Sequence, residues 1–557
     1  MHYRSGMNRA NSLTIAIIFL FCAGLEVCVC FLFQGPAPVS ILESNPDGDL
    51  RNVGFSAERA IEIHRRVFPD APHPAGSPEN ADVRLRIVEL LEEHGWQVEP
   101  PSSVATDELI HGNIVAFRPD QQTLTAKPLV LASHFDSCVF GPGAGDAGGC
   151  VAAVIEAGRL LTKDTSTLRR PVWLVLTDAE EAGLVGAREL VKSHPLSQQH
   201  PIVLNFDARG NAGPVCMFET HAGNHEAIRR LVNKLPRPRL TGSLFTTVYK
   251  ALPNGTDFTE FRSAGWQGFN FALIDGARNY HRPEDTLENL DARSVQHLGE
   301  AALTVAQAIA TTDDDFNDHS QDALFFDVLG GYVIHMPISW NFPIRFALLF
   351  AAVQVYGRPL VRRRHVWPVV RVWLTMAMIL PMACALGWLV SRSIIGTSLL
   401  SRPFVAHGHW LSLGMWFICL AACCMLAYGM LRRINQQCLW DAFWLAHAAT
   451  CMVVSIFLPE FSYLLSVPAM FAVVTTLLLR SIPARTRIVA CLSAVLLIPL
   501  DHLISIALGP ANGMLLFPVY SLLIMPMLPA FGSLPGSDSE SCTSSCGVRK
   551  MMSGLAS

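Results

Sequence analysis

Two hydrophobic periodicities divide the chain. Between Phe55 and Thr311 apolar positions recur at helical spacing or in short runs, and on either side they form long runs with few charges. SAERAIEIHRRVF reads as an amphipathic helix capped by Ser56, His73 to Asn80 as a turn, and Asn80 to Trp96 as a second amphipathic helix. The short runs Asn113 to Phe117, Pro128 to His134, Val172 to Thr177, Ile202 to Phe206, Val215 to Phe218 and Phe269 to Ile274 predict strands. Gly149 to Leu161, Leu184 to Ser193, Glu226 to Asn233 and Ala292 to Thr311 predict helices between and after them. Alternation of this kind predicts an α/β fold, a mainly parallel mixed sheet with helices on both faces.

The long runs predict an α-helical transmembrane bundle. Ser12 to Phe33 contains one charge, Glu26, and its length is that of a span, so a retained anchor is favoured over a cleaved signal peptide. Seven further spans are predicted near Ile338 to Tyr356, Val366 to Val390, Leu411 to Leu431, Leu439 to Leu458, Tyr463 to Leu479, Ile488 to Leu508 and Met514 to Ala530. Basic residues supply the orientation. Arg4 and Arg9 precede the anchor, and clusters at Arg358 and Arg362 to Arg364, at Arg432 and Arg433, and at Arg480, Arg485 and Arg487 fall on the same side, as do Arg549 and Lys550. The predicted organisation is a cytoplasmic N-terminus with its anchor (1–34), an extracytoplasmic domain (35–315), an acidic linker (316–337), a seven-span bundle (338–531) and a cytoplasmic tail (532–557). Membrane lipid is thus a predicted partner, facing a periplasm or a lumen. Arg345 and Arg371 are expected to snorkel to the interface; His447, Asp501 and His502 are costly groups within spans and are given no role.

Composition agrees with this division: the 557 residues are 51% hydrophobic, with mean hydropathy +0.33. A formal net charge of -4, without a basic patch, argues against a nucleic-acid partner. Of the 15 cysteines only Cys138, Cys150 and Cys216 fall in the soluble part, too few and wrongly spaced for a disulfide framework.

The candidate chemistry lies at strand ends, where ligands collect in an open parallel sheet. His134 and Asp136 end one predicted strand, with Asp146 shortly after. Asp178, Glu180 and Glu181 end the next, Asp207 ends the third, and Tyr280 and His281 follow the last. Imidazole and carboxylate together suit a borderline divalent metal. Each residue alone is as readily a surface charge, a helix-start carboxylate or a loop histidine; their recurrence at successive strand ends is not so easily explained.

The order His134-Phe135-Asp136, Gly143-Ala144-Gly145-Asp146, Glu180-Glu181, Asp207 and Tyr280 to Thr286 resembles the di-zinc aminopeptidase family of the bacterial leucine aminopeptidase type. An anchor, a catalytic domain and a membrane bundle in that order, with HPAGSPEN, FDARGNAGP and MFETHAGN, are most similar to its multispanning endoplasmic reticulum branch and bacterial relatives. The resemblance spans roughly Phe55 to Thr311 and implies a zinc aminopeptidase-like domain with two zinc ions. His134, Asp146 and Asp207 would hold one, and Asp146, Glu181 and His281 the other. Asp136 would orient His134, and Glu180 would be the general base as a metal-bridging hydroxide hydrolyses the N-terminal bond of a peptide or protein with a free N-terminus. Asp257, Phe258 and Tyr280 would contact substrate; Thr256 or Asp257 would equally serve as a helix cap.

The pattern departs from the family where a second Asp and a later Gly are often found, here Ala147 and Cys150, and the missing Asp is expected to loosen the turn that aims Asp146. Asp178 would raise the pKa of Glu180 if it faced the site. The alternatives are an inactive binding protein on the same fold and a single-zinc aminoacyl cyclotransferase. A binding module needs no general base, which favours the peptidase. The oligomeric state is left open.

Overall fold

The computed structural model describes residues 9–44, 54–100, 104–106, 109–121, 123–238, 242–250, 255–316, 321–362, 366–395, 408–509 and 512–533. Arg4, Arg363, Arg364, residues 317–320 of the expected linker, and the expected tail beyond Ser533 with Arg549 and Lys550 lie outside the described residues. The chain forms two compact units: Cys28–Trp340, and Met1–Val27 with Asn341–Ser557.

In the first unit the strands are β1 (Gln97–Val98), β2 (Val104–Thr106), β3 (Leu109–His111), β4 (Ile114–Phe117), β5 (Leu129–His134), β6 (Val172–Thr177), β7 (Ile202–Ala208), β8 (Ala212–Thr220), β9 (Gln267–Asp275), β10 (Ala323–Val328) and β11 (Tyr332–Pro337). Seven of them make one sheet in the order β1-β4-β6-β5-β7-β9-β8. The central four, β6, β5, β7 and β9, are parallel; β1, β4 and β8 are antiparallel additions at the edges. The mixed, mainly parallel sheet is thus as predicted.

Alternation along the central strands builds a core on each face. Leu129 and Leu131 of β5 and Leu204 and Phe206 of β7 pack with helices Ala57–Val67, Cys150–Leu161 and Ala292–Ala310. Val130, Ala132 and Val203 point the other way, to Ala187, Leu190, Phe258 and Phe261 of helices Val185–Ser193 and Asp257–Ser263. The Ser56 cap is observed, its side chain accepting from the Arg59 amide. Cys138, Cys150 and Cys216 form no disulfide.

The acidic linker of the sequence reading is in part a β-hairpin. Strands β10 and β11 pair antiparallel through Val328 and Tyr332, and Ala323, Phe325 and Val333 join the core. The soluble unit therefore runs to Trp340 instead of ending at 315. Helices Ser243–Lys250 and Asp257–Ser263 are further elements that periodicity did not announce.

Among the described residues six helices are long and apolar enough to cross a membrane: Ala10–Leu32, Ile338–Arg362, Val366–Ser393, Leu411–Leu431, Gln436–Phe457 and Ile482–Ala507. The other two predicted spans are shorter. Tyr463–Leu478 has 16 residues, and the expected Met514 to Ala530 span is a ten-residue helix, Gly513–Leu522, followed by the 3-10 segment Met525–Phe531. Pro518, Pro526 and Pro529 withhold amide donors there. A ten-residue helix rises only about 15 Å, half the hydrocarbon thickness.

Arg345, expected to snorkel, is instead 2% exposed. His447 is buried with its Nε2 3.0 Å from the Leu465 carbonyl, and His502 Nδ1 lies 2.9 Å from Glu26 Oε1.

Candidate metal centre

The four parallel strands deliver the candidate ligands to one place. His134 is the last residue of β5, Asp207 lies near the end of β7, Glu180 and Glu181 follow β6, and His281 follows β9. Two groups of possible ligand atoms result, His134 with Asp146 and Asp207, and Asp146 with Glu181 and His281, the atoms of each within 4.8 Å of one another. Asp146 belongs to both. Its Oδ1 is 3.1 Å from His134 Nε2, and its Oδ2 is 3.2 Å from His281 Nε2. His134 Nε2 also lies 3.5 Å from Asp207 Oδ1, and His281 Nε2 lies 2.8 Å from Glu181 Oε1.

These residues fit a metal ion on two grounds. Each group offers one imidazole and two carboxylates, a donor set suited to zinc. Moreover Glu181 Oε1 and His281 Nε2 are buried 2.8 Å apart without a well-formed hydrogen bond to satisfy either, which leaves both available to a cation.

Asp136, 1% exposed, is placed as expected behind His134, but it does more than the sequence foretold. Its carbonyl is 3.1 Å and its Oδ1 3.4 Å from His134 Nδ1. Its two carboxylate oxygens also accept from the amides of Glu180, at 3.0 Å, and Glu181, at 3.2 Å. Asp136 thus holds the His134 ring through its carbonyl, while its carboxylate fixes the segment that carries both glutamates. That segment starts with Ala179 at φ 58, a left-handed residue that turns the chain out of β6.

Asp178 faces away from the glutamates. It accepts from the Gly112 amide at 2.9 Å, from its neighbour Ala179 at 2.9 Å and from Asn80 at 3.2 Å. Strand alternation does not carry it into the site because β6 has already ended at Thr177. Burial lifts its pKa to about 6.

The electrostatics are those of crowded carboxylates. Burial foremost, opposed by His134 and reinforced by Asp207, Asp257 and Asp146, pushes Glu180 well above the usual range. Burial likewise raises Glu181, against the pull of His281. Burial disfavours the His281 imidazolium, but Asp146 and Glu181 outweigh it and lift the pKa to about 10. A divalent cation would relieve this repulsion directly.

The expected substrate contacts divide. Tyr280 stacks on the His281 ring, centroids 3.7 Å apart, beside the site. Asp257 and Phe258 are corrected: Asp257 is buried and accepts from the Thr177 hydroxyl, and Phe258 is 0% exposed in the second core. Phe258 and Phe261 share the inward face of their helix by i, i+3 spacing, so neither presents a surface to a ligand. Thr256 caps that helix through a capping box with Thr259.

Ala147 is 1% exposed and belongs to the core. The loop around it is held from elsewhere, by Asp285, a residue of the Tyr280 to Thr286 motif to which the sequence reading gave no role. Its carboxylate accepts from the amides of Gly145 and Asp146. On the loop's other side a Cβ at Gly148 would fall 2.7 Å from His64 Nε2, so glycine is required there.

Residues 113–306 match peptidase family M28. Among curated proteins the chain is 28% identical over 341 residues to endoplasmic reticulum metallopeptidase 1 of Rattus norvegicus, covering 56% of this chain and 37% of that protein. It is 24% identical over 355 residues to the vacuolar membrane protease of Candida dubliniensis, covering 61% of this chain and 37% of that one. The matches thus span little more than a third of these relatives. Among solved structures, the aminopeptidase from Aneurinibacillus sp. strain AM-1 superposes with TM-score 0.37 and 16% identity over 45% of this chain and 94% of that one. Glutaminyl cyclase of Fimbriiglobus ruber does so with TM-score 0.36 and 15% identity over 45% and 95%. The ligand order, the strand-end geometry and the family match agree, and residues 113–306 within the α/β unit are thereby similar to peptidase family M28.

Proposed function

We propose that the chain is a membrane-anchored di-zinc aminopeptidase that removes N-terminal residues from peptides or proteins. The observation that carries this reading is the placement of the two oxygens of Asp146 against two different histidines, 3.1 Å from His134 and 3.2 Å from His281. His134, Asp146 and Asp207 would hold one zinc ion, and Asp146, Glu181 and His281 the other. When bound, such ions polarise a scissile carbonyl and acidify water near neutrality.

The remaining work falls to the protein. Glu180 has its amide anchored by Asp136 and its carboxyl buried among acids that favour the protonated form. It therefore suits a group that accepts a proton from water and returns it to the departing amine. Asp136 keeps the His134 ring and the Glu180 segment in register. The excess of carboxylate, with Asp207 and Glu180 nearest, would meet the substrate's free α-ammonium group and so confine hydrolysis to the chain end. From the distribution of basic residues, the catalytic unit is placed on the extracytoplasmic side.

The full chain, purified in detergent and loaded with zinc, should bind two ions and cleave aminoacyl anilides. Glu180→Gln should retain both ions and lose roughly 100- to 10,000-fold in kcat. A wild type that holds two ions yet cleaves no peptide with a free N-terminus, or a Glu180→Gln variant of undiminished activity, would sink the proposal. One bound ion with cyclisation of N-terminal glutamine would instead support the cyclotransferase.

A further inference from the structure

Asp285 is 3% exposed and belongs to neither ligand group. Its Oδ1 accepts from the Gly145 amide at 2.9 Å, its Oδ2 from the Asp146 amide at 3.2 Å, and its backbone carbonyl from the Ala144 amide at 3.0 Å. Three consecutive amides of the loop that carries the shared ligand therefore converge on one residue. The approach depends on glycine: a Cβ on Gly145 would fall 2.9 Å from Asp285 Oδ1 and 2.8 Å from both Asn211 Cβ and the Gly210 carbonyl.

At its other end Asp285 is tied to the second ligand group. Its amide donates to the Arg282 carbonyl at 3.0 Å, closing a turn that begins immediately after His281. The loop bearing His281 and the loop bearing Asp146 are thus joined through a single residue, its carboxylate taking two of the three amides.

We propose that Asp285 is a positioning residue for Asp146, fixing the backbone of the shared carboxylate to the His281 loop so that both metal groups are held in one frame. The inference rests on the reading that these groups hold metal ions. It parallels the part Asp136 plays for Glu180 and Glu181: in each case a carboxylate that is not a ligand takes two successive amides of a ligand-bearing segment. It also accounts for Ala147, since the turn is clamped from across the site and needs no second Asp within it.

The test uses the full chain in detergent. Zinc affinity is measured by competition with a chelator, and the cobalt-substituted protein is followed by its visible absorption, which reports ligand geometry. Asp285→Ala should weaken metal binding by about 10- to 100-fold and alter the cobalt spectrum. Asp285→Asn, which keeps one acceptor and nearly the same volume, should fall between it and the wild type. Gly145→Ala, which pushes the clamp away without removing it, should resemble Asp285→Ala. A purely structural role would lower the unfolding midpoint and leave the affinity and spectrum of the folded protein unchanged, and that result overturns the inference. If Asp285→Ala does not fold, Asp285→Asn with wild-type affinity and spectrum overturns it equally. None of these readouts uses hydrolysis. A wild type that binds two ions but cleaves nothing refutes the aminopeptidase and leaves the clamp standing; a wild type that binds no metal refutes both.

Discussion

Ending the soluble domain at residue 315, where acidic composition suggests a boundary, should abolish its folding, whereas ending it at 340 should not. The fragment 35–315 lacks β10 and β11, on which Leu324, Phe325 and Val333 are 0% exposed. Burying each such side chain contributes roughly 1.5–3 kcal/mol, so the three supply about 5–9 kcal/mol. Polar anchors would be lost too: the Ala323 amide donates to Asn224 at 2.8 Å, the Val333 amide to Asn233 at 3.0 Å, and Ser243 to the Phe325 carbonyl at 3.1 Å. Each hydrogen bond lost removes about 0.5–1.5 kcal/mol more. A domain is usually stable by only about 5–15 kcal/mol, so the deficit is comparable to the whole. Fragments 35–315 and 35–340 should be compared by urea unfolding followed by tryptophan fluorescence. The longer fragment is expected to give a cooperative transition and the shorter to lack one or to aggregate. A fragment 35–315 with the midpoint of 35–340 would refute the claim that the hairpin is part of the core.

Two further outcomes are expected. Burial, then the neighbouring His73, depresses the His64 pKa to about 4 from 6.5. A depressed value means that protonation favours the unfolded chain, so the stability contribution is complete above about pH 6.5 and is lost as pH falls toward about 4, by about 3 kcal/mol. His64→Phe should therefore narrow the difference in urea midpoint between about pH 7 and about pH 5, and an unchanged difference would show that His64 is not the group responsible. For orientation, a reporter fused after Trp340 in the full-length context should read extracytoplasmic; a cytoplasmic signal would reverse the assignment drawn from the arginine clusters.

How much of this was legible in the sequence depended on what kind of signal each feature leaves. The candidate ligands were legible because metal chemistry restricts residue type and each one closes or follows an apolar run, so His134, Glu181 and Asp207 could be placed at strand ends without coordinates. The hairpin was also written in the chain. Leu329 and Gly330 take φ of 51 and 64, as a tight hairpin turn requires, and Gly330-Gly331 between apolar runs is its usual mark. The acidic stretch before it and the membrane run after it suggested a linker instead. Phe258 went astray differently: its motif pointed to the pocket, while its i, i+3 relation to Phe261 pointed to the core, and burial followed the spacing. The amide contacts of Asp136 and Asp285 left no signal at all. Asp136 reaches amides 44 and 45 residues away, and Asp285 reaches amides 140 and 139 residues away. A backbone amide is the same group at every position but proline, so no spacing rule distinguishes the one a carboxylate will find. Residue types suited to a metal, and their place at strand ends, are therefore properties that sequence can carry. The rigidity that makes those ligands a site comes from contacts between side chains and backbone that only the folded chain brings together.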